Sequence, residues 1–333
     1  MLQKNHSFRF AMVMLVLLVT GFALSGTAFG DGGKVVVYAA GPGGLAKAIN
    51  DGFEAKTGIR VEMFQSETGK ILGRLEAEKN NPIADVVVLA SWPSAEGLKQ
   101  AGMTQAYPKV VNGSKLPKVW RDKDGHYFAY SASALGVAYN TLLVKNAPKD
   151  WDDFLKPEWK GKVNIPDPSL SGSCLDFVSG YANAKGKKAW KFFEELKKND
   201  ALVNGANTEA LNMVITGSRS VVLAGVDYMA YSSKAKGEPI ELIYPASGTV
   251  ISPRPAMIMK SAKNLANARL YMDYLLSDDA QKLVVNALLL PGRKDIRSDK
   301  RPNVDEIKVL KYNWLWMTEH NNSNLELFNN IFR

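Results

Sequence analysis

Apolar residues along this chain alternate between two rhythms. A β-branched and aromatic run, Lys34-Val35-Val36-Val37-Tyr38, leads into the glycine turn Gly41-Pro42-Gly43-Gly44. Apolar residues at helical spacing follow at Leu45, Ala48, Ile49 and Phe53. Thr57-Gly58 stops that helix. The pattern then predicts a strand over 59–64, a turn at Thr68-Gly69-Lys70, a helix over 71–79 and a strand over 84–89. Strands alternating with helices at this interval imply βαβ units on a parallel sheet.

After Pro108 the rhythm changes. Aromatic-rich short strands, Tyr127-Phe128-Ala129-Tyr130 and Leu135-Gly136-Val137-Ala138-Tyr139-Asn140, flank the small-residue stretch Ser131-Ala132-Ser133-Ala134, which suits a crossing between domains. A second α/β region runs through the Trp151 turn, Val163-Asn164-Ile165, a helix after Ser169 to Ser173, and the buried-type strand Ser220-Val221-Val222-Leu223-Ala224. Residues 248–254 suit a return crossing. Helical sequence over 262–287 and near the C-terminus is then expected to pack back on the first domain. The chain has no internal repeat and no low-complexity segment.

The first thirty residues form a separate object. Lys4 and Arg9 precede an apolar run over 11–19, Gly21 breaks it, and Ala28-Phe29-Gly30 offers small residues for cleavage before Asp31. The run is shorter than the ~20 residues a membrane span needs. No cysteine follows it for a lipid anchor, and no twin-arginine pair marks export of a prefolded, cofactor-loaded enzyme. A cleavable signal peptide over 1–30 and a periplasmic address follow, and nucleic acid drops from the expected partners.

The 333 residues are 46% hydrophobic and 23% charged, the balance of a globular protein of about two domains. Lys and Arg number 42 against 33 Asp and Glu, and the +9 that results falls to +7 when Lys4 and Arg9 leave with the signal peptide. One cysteine, Cys174, rules out an internal disulfide framework and cysteine-cluster metal sites, and three histidines are too few for a histidine-built zinc site. His126 and His320 are the histidines left after cleavage, and no nucleophile elbow or Ser/His/acid set accompanies them. No catalytic residue, metal ligand set or cofactor is assigned, and the chain is read as a non-enzyme.

An exported chain of two α/β lobes with two crossings has the architecture of hinge-closing solute receptors. The opening Val35-Val36-Val37-Tyr38-Ala39, the helix exit Phe53-Glu54-Ala55-Lys56-Thr57-Gly58-Ile59, the strand Ala84-Asp85-Val86-Val87, the stretch from Leu135 to Asn140, the segment from Trp151 to Lys162, and the region from Ala256 to Ala280 together resemble the periplasmic binding proteins of ABC importers. The branch most similar is the ferric-ion-receptor-like group, which includes receptors for sugar phosphates and aminoethylphosphonate. The resemblance implies a type II periplasmic binding-protein fold, α/β, with a mixed sheet flanked by helices in each lobe and two crossings forming a hinge. The domains expected are 31–133 plus 250–333 for lobe one and 134–249 for lobe two. It also implies a monomer that hands a small ligand to a membrane permease.

The candidate contacts sit in the turns after strands, where open α/β sheets present ligands. Gly41-Pro42-Gly43-Gly44 precedes a helix, so Gly43 and Gly44 offer free N–H groups; the turn also fits a dinucleotide fingerprint with Glu62 downstream, which export disfavours. Ser66, Thr68, Gly69 and Lys70 combine hydroxyls, a glycine and a cation at one helix start. A lysine there opposes the helix dipole unless an anion is bound. Ser91 and Trp92 close the third strand, the indole either covering the core edge or stacking on a ligand. Ser133 lies in the crossing. Ser171, Gly172 and Ser173 form the matching hydroxyl turn of lobe two. Asp227 either meets a positive part of the ligand or caps a helix, and Tyr228 lies beside it.

The resemblance implies that phosphorylated-solute receptors set such a Ser/Gly turn opposite a Thr/Gly turn. It also implies that ferric receptors place a glutamate near Lys70 and two adjacent tyrosines near Tyr228, whereas here Tyr228 and Tyr231 are two residues apart. The reading that results is capture of a small phosphorylated or phosphonate anion. Ferric-ion binding is the alternative, and an exported dinucleotide-dependent enzyme a distant one.

Overall fold

The computed structural model describes residues 33–333, so the expected signal peptide over 1–30 lies outside the described residues. Within the first sheet the strand Lys34–Ala40 lies between Arg60–Ser66 and Val86–Val88, parallel to both. Its alternating residues serve opposite faces: Val35, Val37 and Ala39 enter one apolar cluster with Phe53 and Tyr271, while Val36, Tyr38 and Ala40 enter another with Ile71 and Trp92. The helices Gly43–Thr57 and Thr68–Ala77 return the chain between these strands, the first ending at Gly58 in the left-handed conformation that favours glycine.

The strand Tyr127–Asn140 is buried along its whole length and belongs to both sheets. Up to Ala134 it pairs antiparallel with Ile251–Met259, and from Leu135 it pairs antiparallel with Val221–Val226. Val163–Ile165 and Leu202–Val203 extend the second sheet in parallel. The result is two lobes, each a mixed sheet flanked by helices, joined through the long strand Tyr127–Asn140 that runs continuously between them. Where Val221–Val226 meets the long strand, the register slips between Gly136 and Val137 and Ala224 takes a positive φ of 55°. That distortion lies just ahead of Asp227 and Tyr228, and strained backbone of this kind collects beside functional sites.

The C-terminal end departs from expectation. The helix Asn321–Phe332 packs on Gly172–Lys185 and Lys187–Lys198 of lobe two. Phe328 and Phe332 join Trp151, Phe154, Phe177 and Phe193 in that lobe's core, with the Phe193 and Phe328 rings 5.2 Å apart. The amphipathic helix Lys187–Lys198 presents buried Phe192, Phe193 and Leu196, and the aromatics of the last helix complete that apolar surface. Burying each such ring is worth about 1.5–3 kcal/mol, which holds the tail on lobe two rather than lobe one.

Candidate functional site

The three parallel strands of lobe one end at a cavity of about 100 Å³ between the lobes. Ala40, Gly41, Gln65, Ser66, Glu67, Thr68 and Ala90 form one wall. Leu170, Ser171, Gly172, Ser173, Ala206, Asn207, Thr208, Tyr228 and Met229 form the other, and Arg254 of the return strand is the floor. The volume has room for a handful of waters or one compact solute.

The helices Thr68–Ala77, Gly172–Lys185 and Asn207–Ile215 all start on this lining, and Asp227–Ala235 starts one residue before Tyr228. Helix starts leave N–H groups without intrahelical partners and carry the positive end of the helix dipole. In Gly172–Lys185 the Ser171 hydroxyl caps one of them, accepting from Cys174 N at 3.2 Å. Gly172 and Ser173 belong to the same lining, and their first-turn amides are the kind of donor a bound anion would accept from.

Arg254 supplies the full charge. It is 2% exposed. One guanidinium nitrogen donates to the Ala40 carbonyl at 3.2 Å and another reaches Ser133 Oγ at 3.4 Å, while the group lies 5.5 Å from the centre of the Tyr228 ring. Its Nε has no partner. A buried cation that meets only neutral acceptors is costly unless an anion joins it. Across the cleft, Asn207 Nδ2 donates to Ser171 Oγ at 2.9 Å and Ser173 Oγ at 3.2 Å, which leaves the buried Asn207 Oδ1 without a donor. Beside the cleft, Arg254 therefore holds a buried donor and Asn207 a buried acceptor that no protein group satisfies, the pair a ligand with an anionic group and a hydroxyl or amine would suit.

Of the residues expected from sequence, Ser66, Thr68, Ser171, Gly172, Ser173 and Tyr228 line the cavity. Lys70 does not. Its side chain is 60% exposed and pairs with Glu67 at 3.0 Å, an (i, i+3) partner on the same helix start. Gly69 donates its N–H to the Leu170 carbonyl at 3.3 Å and so forms part of the rim. Gly43 and Gly44 stay outside, with Gly44 exposed. Ser133 stands behind Arg254.

Ser91 is an N-cap that donates to Asp176 at 2.7 Å, and Trp92 is buried against Tyr127 and Trp314 rather than stacking into the cleft. Asp227 is fully used inside the protein: it accepts from Ala134 N, Tyr228 N and Tyr244 Oη and pairs with Arg301 Nη2 at 2.5 Å. Neither side chain of that pair is exposed, so Asp227 has nothing left for a ligand. Glu62 pairs with Lys34 and Arg60, which removes the ribose partner that a dinucleotide reading needs.

Sequence reasoning missed Gln65, Asn207 and Arg254 as lining residues, and weighed Glu67 only as a carboxylate for the ferric alternative. Partial burial pushes the Glu67 carboxyl up, but hydrogen bonds from Lys70 and Ser66 outweigh it and keep the group ionised below the usual range. Burial raises the Tyr228 phenol, with Arg254 opposing, so the ring faces the cleft as a neutral hydroxyl. Among the described residues no three His, Cys, Asp or Glu side chains gather as a metal cage, and no helix is long and apolar enough to cross a membrane.

Residues 81–318 match the family model described as bacterial extracellular solute-binding protein. Iron uptake protein A1 of Synechocystis sp. is 25% identical over 251 residues, 69% of this chain and 67% of the relative. A putative 2-aminoethylphosphonate-binding periplasmic protein of Salmonella typhimurium is 24% identical over 266 residues, 78% of this chain and 76% of the relative. The fold matches the periplasmic binding protein AfuA from Actinobacillus pleuropneumoniae, solved with exogenous fructose-6-phosphate bound, with a TM-score of 0.83 at 23% identity over 90% of this chain and 98% of that one.

Proposed function

We propose, from the premise that this chain belongs to the bacterial extracellular solute-binding protein family, that it is the periplasmic receptor of an ABC importer and captures a compact organic phosphate or phosphonate between its lobes. The observation that carries the choice of an anion is Arg254, a buried cation with an unpaired Nε that lines a cavity onto which three helix starts converge. Relatives named for 2-aminoethylphosphonate binding and for a periplasmic place in an ABC transporter support the same reading.

The chain makes and breaks no bonds in this account. The anion accepts from Arg254, from the amides of Gly172 and Ser173 and from the Ser171/Ser173 hydroxyl pair, while the rest of the solute meets Asn207 Oδ1, Glu67 and Tyr228. Contacts from both walls form together only when the lobes are closed, so the ligand favours the closed form by its differential affinity, and the permease receives that form. Glu67 disfavours a second negative group near Ser66 and favours an ammonium or hydroxyl there.

A ferric-ion reading draws on the iron-uptake relative and on Glu67 and Tyr228, which both line the cavity. It is the weaker one, because a buried guanidinium opposes a trivalent cation and Tyr231 turns away to donate to Tyr244 at 3.1 Å. The test is a thermal-shift panel on ligand-stripped mature protein. Binding at 100 times Kd raises stability by about 2.7 kcal/mol. Fructose 6-phosphate or 2-aminoethylphosphonate is expected to give that order of shift and ferric ion none. Stabilisation by ferric ion alone, with tyrosinate colour, overturns the reading.

A further inference from the structure

The lobes touch at one edge of the cleft through main chain, and two glycines occupy the contact. Gly69 N donates to Leu170 O at 3.3 Å, from the second turn of lobe one to the hydroxyl turn of lobe two. A methyl group on Gly69 would land on the carbonyl oxygen of Ser169, with the Ser169 carbonyl carbon at 3.3 Å and Leu170 Cα at 3.4 Å. A methyl group on Gly172 would meet Thr68 Oγ1 at 2.8 Å and both Thr68 carbons, Cβ and Cγ2, at 2.9 Å. Every atom in these clashes belongs to the opposite lobe. Neither glycine has a positive φ, so neither is required by its own backbone conformation. Both sit in the first turn of a helix, where alanine is the better helix former by about 1 kcal/mol. What alanine would disturb at either position is the approach of the lobes.

We infer that Gly69 and Gly172 act as a closure gauge: the absence of a side chain at this seam sets how far the lobes close, and so limits the size of the solute the closed cleft retains. The inference rests on the cleft being the solute site. With the seam shut, the cavity is held to about 100 Å³, and Thr68, which lies both at the seam and on the lining, transmits the limit to the ligand. Thr68 is itself fixed from behind, because its hydroxyl accepts from Ala90 N at 3.1 Å. It cannot swing away from an added methyl without losing that bond. Opening the hinge is the easier response.

The contact can be tested without any ligand. In the double variant Thr68→Cys/Gly172→Cys the two Cβ positions stand closer than the roughly 3.5–4.5 Å a disulfide needs, so opening by about 1 Å brings them into range. Mild oxidation of the ligand-free protein is expected to give a 68–172 linked peptide by mass spectrometry, with the buried Cys174 unlinked. Failure to form that link while Ellman's reagent still reacts with both new thiols overturns the seam, whatever the ligand proves to be.

The gauge itself is read with Gly69→Ala and Gly172→Ala titrated with 2-aminoethylphosphonate and with the larger fructose 6-phosphate. Each variant is expected to lose tenfold or more in affinity for the smaller probe and less for the larger one. Spin labels on the two lobes should stop short of the wild-type closed distance at saturating probe. The unfolding temperature of the ligand-free variants should stay within a degree or two of wild type, and Gly44→Ala, which meets nothing, should match wild type throughout. Wild-type closure and affinity in both seam variants overturns the gauge. A seam that links in the cysteine variant, together with a wild-type protein that binds neither probe, overturns the choice of organophosphate instead and leaves the two results distinguishable.

Discussion

Arg254 and Lys70 are two cations near one cleft, and they are built in opposite ways. Lys70 stands in the first turn of a helix, mostly in solvent, with its charge answered by Glu67 one turn away. Arg254 comes from a strand in the middle of a sheet, is almost wholly buried, and meets carbonyl, hydroxyl and ring but no carboxylate within ion-pair distance. A solvated, paired lysine is worth little to any ligand, since exposed pairs contribute 0–1 kcal/mol and are screened by salt. A desolvated guanidinium with an open donor is worth much more, because the protein has already removed its water. The useful charge is the one whose solvation the fold has taken away, not the one nearest a turn motif.

Replacing Arg254 should therefore have the largest effect. Arg254→Met, close in shape and without charge, is expected to weaken organophosphate binding about 100-fold or more by calorimetry, while the ligand-free protein keeps its circular dichroism. Arg254→Lys should recover only part of this, staying about tenfold weaker, because an ammonium lacks the planar fork that reaches Ala40, Ser133 and the ligand together. On the opposite wall, Asn207→Ala should cost about five- to tenfold in affinity and Asn207→Asp more, since a carboxylate there repels the anion. If Asn207→Asp instead tightened binding, the ligand would present a cation to lobe two and the comparison would reverse.

A subtler test uses pH. Asp176 of lobe two accepts from Ser91 Oγ, Trp92 N and Ser252 Oγ of lobe one and the return strand. Burial pushes its carboxyl up from 3.8 to about 7, against these hydrogen bonds and Arg254, which favour the ionised form. Between those values the folded protein holds a proton that the unfolded chain has released, so stability should fall as pH rises from about 4 to 7. Asp176→Asn should flatten that part of the unfolding-temperature profile, and an unchanged slope would remove Asp176 from the account. The smallest effect belongs to Lys70→Glu, expected to change affinity by about twofold or less at physiological salt.

The alternation of strand and helix and the hydroxyl turns were legible because each is a local pattern: Val35 to Tyr38 reads as a strand, and Thr68 or Ser171 reads as the start of a helix after one. Six of the expected residues reach the cavity for that reason. Arg254 was illegible because its place depends on pairing with Ser131, 123 positions away, and on the register shift between Arg254 and Pro255. Asp227 reads as either a ligand contact or a helix cap, because its partner Arg301 is 74 residues distant. Trp92 read equally well as a stacking group or a core residue, and only Tyr127 and Trp314 decide between them. The last helix reads as packing on lobe one because its pattern shows that it has an apolar face but not which surface covers it.

The measurement that bears most directly on the central claim is calorimetric titration of wild type, Arg254→Met and Lys70→Glu with 2-aminoethylphosphonate and fructose 6-phosphate in the same buffer. At least one of these anions is expected to bind wild type and Lys70→Glu alike and to be lost in Arg254→Met. Binding that survives in Arg254→Met and disappears in Lys70→Glu would contradict it.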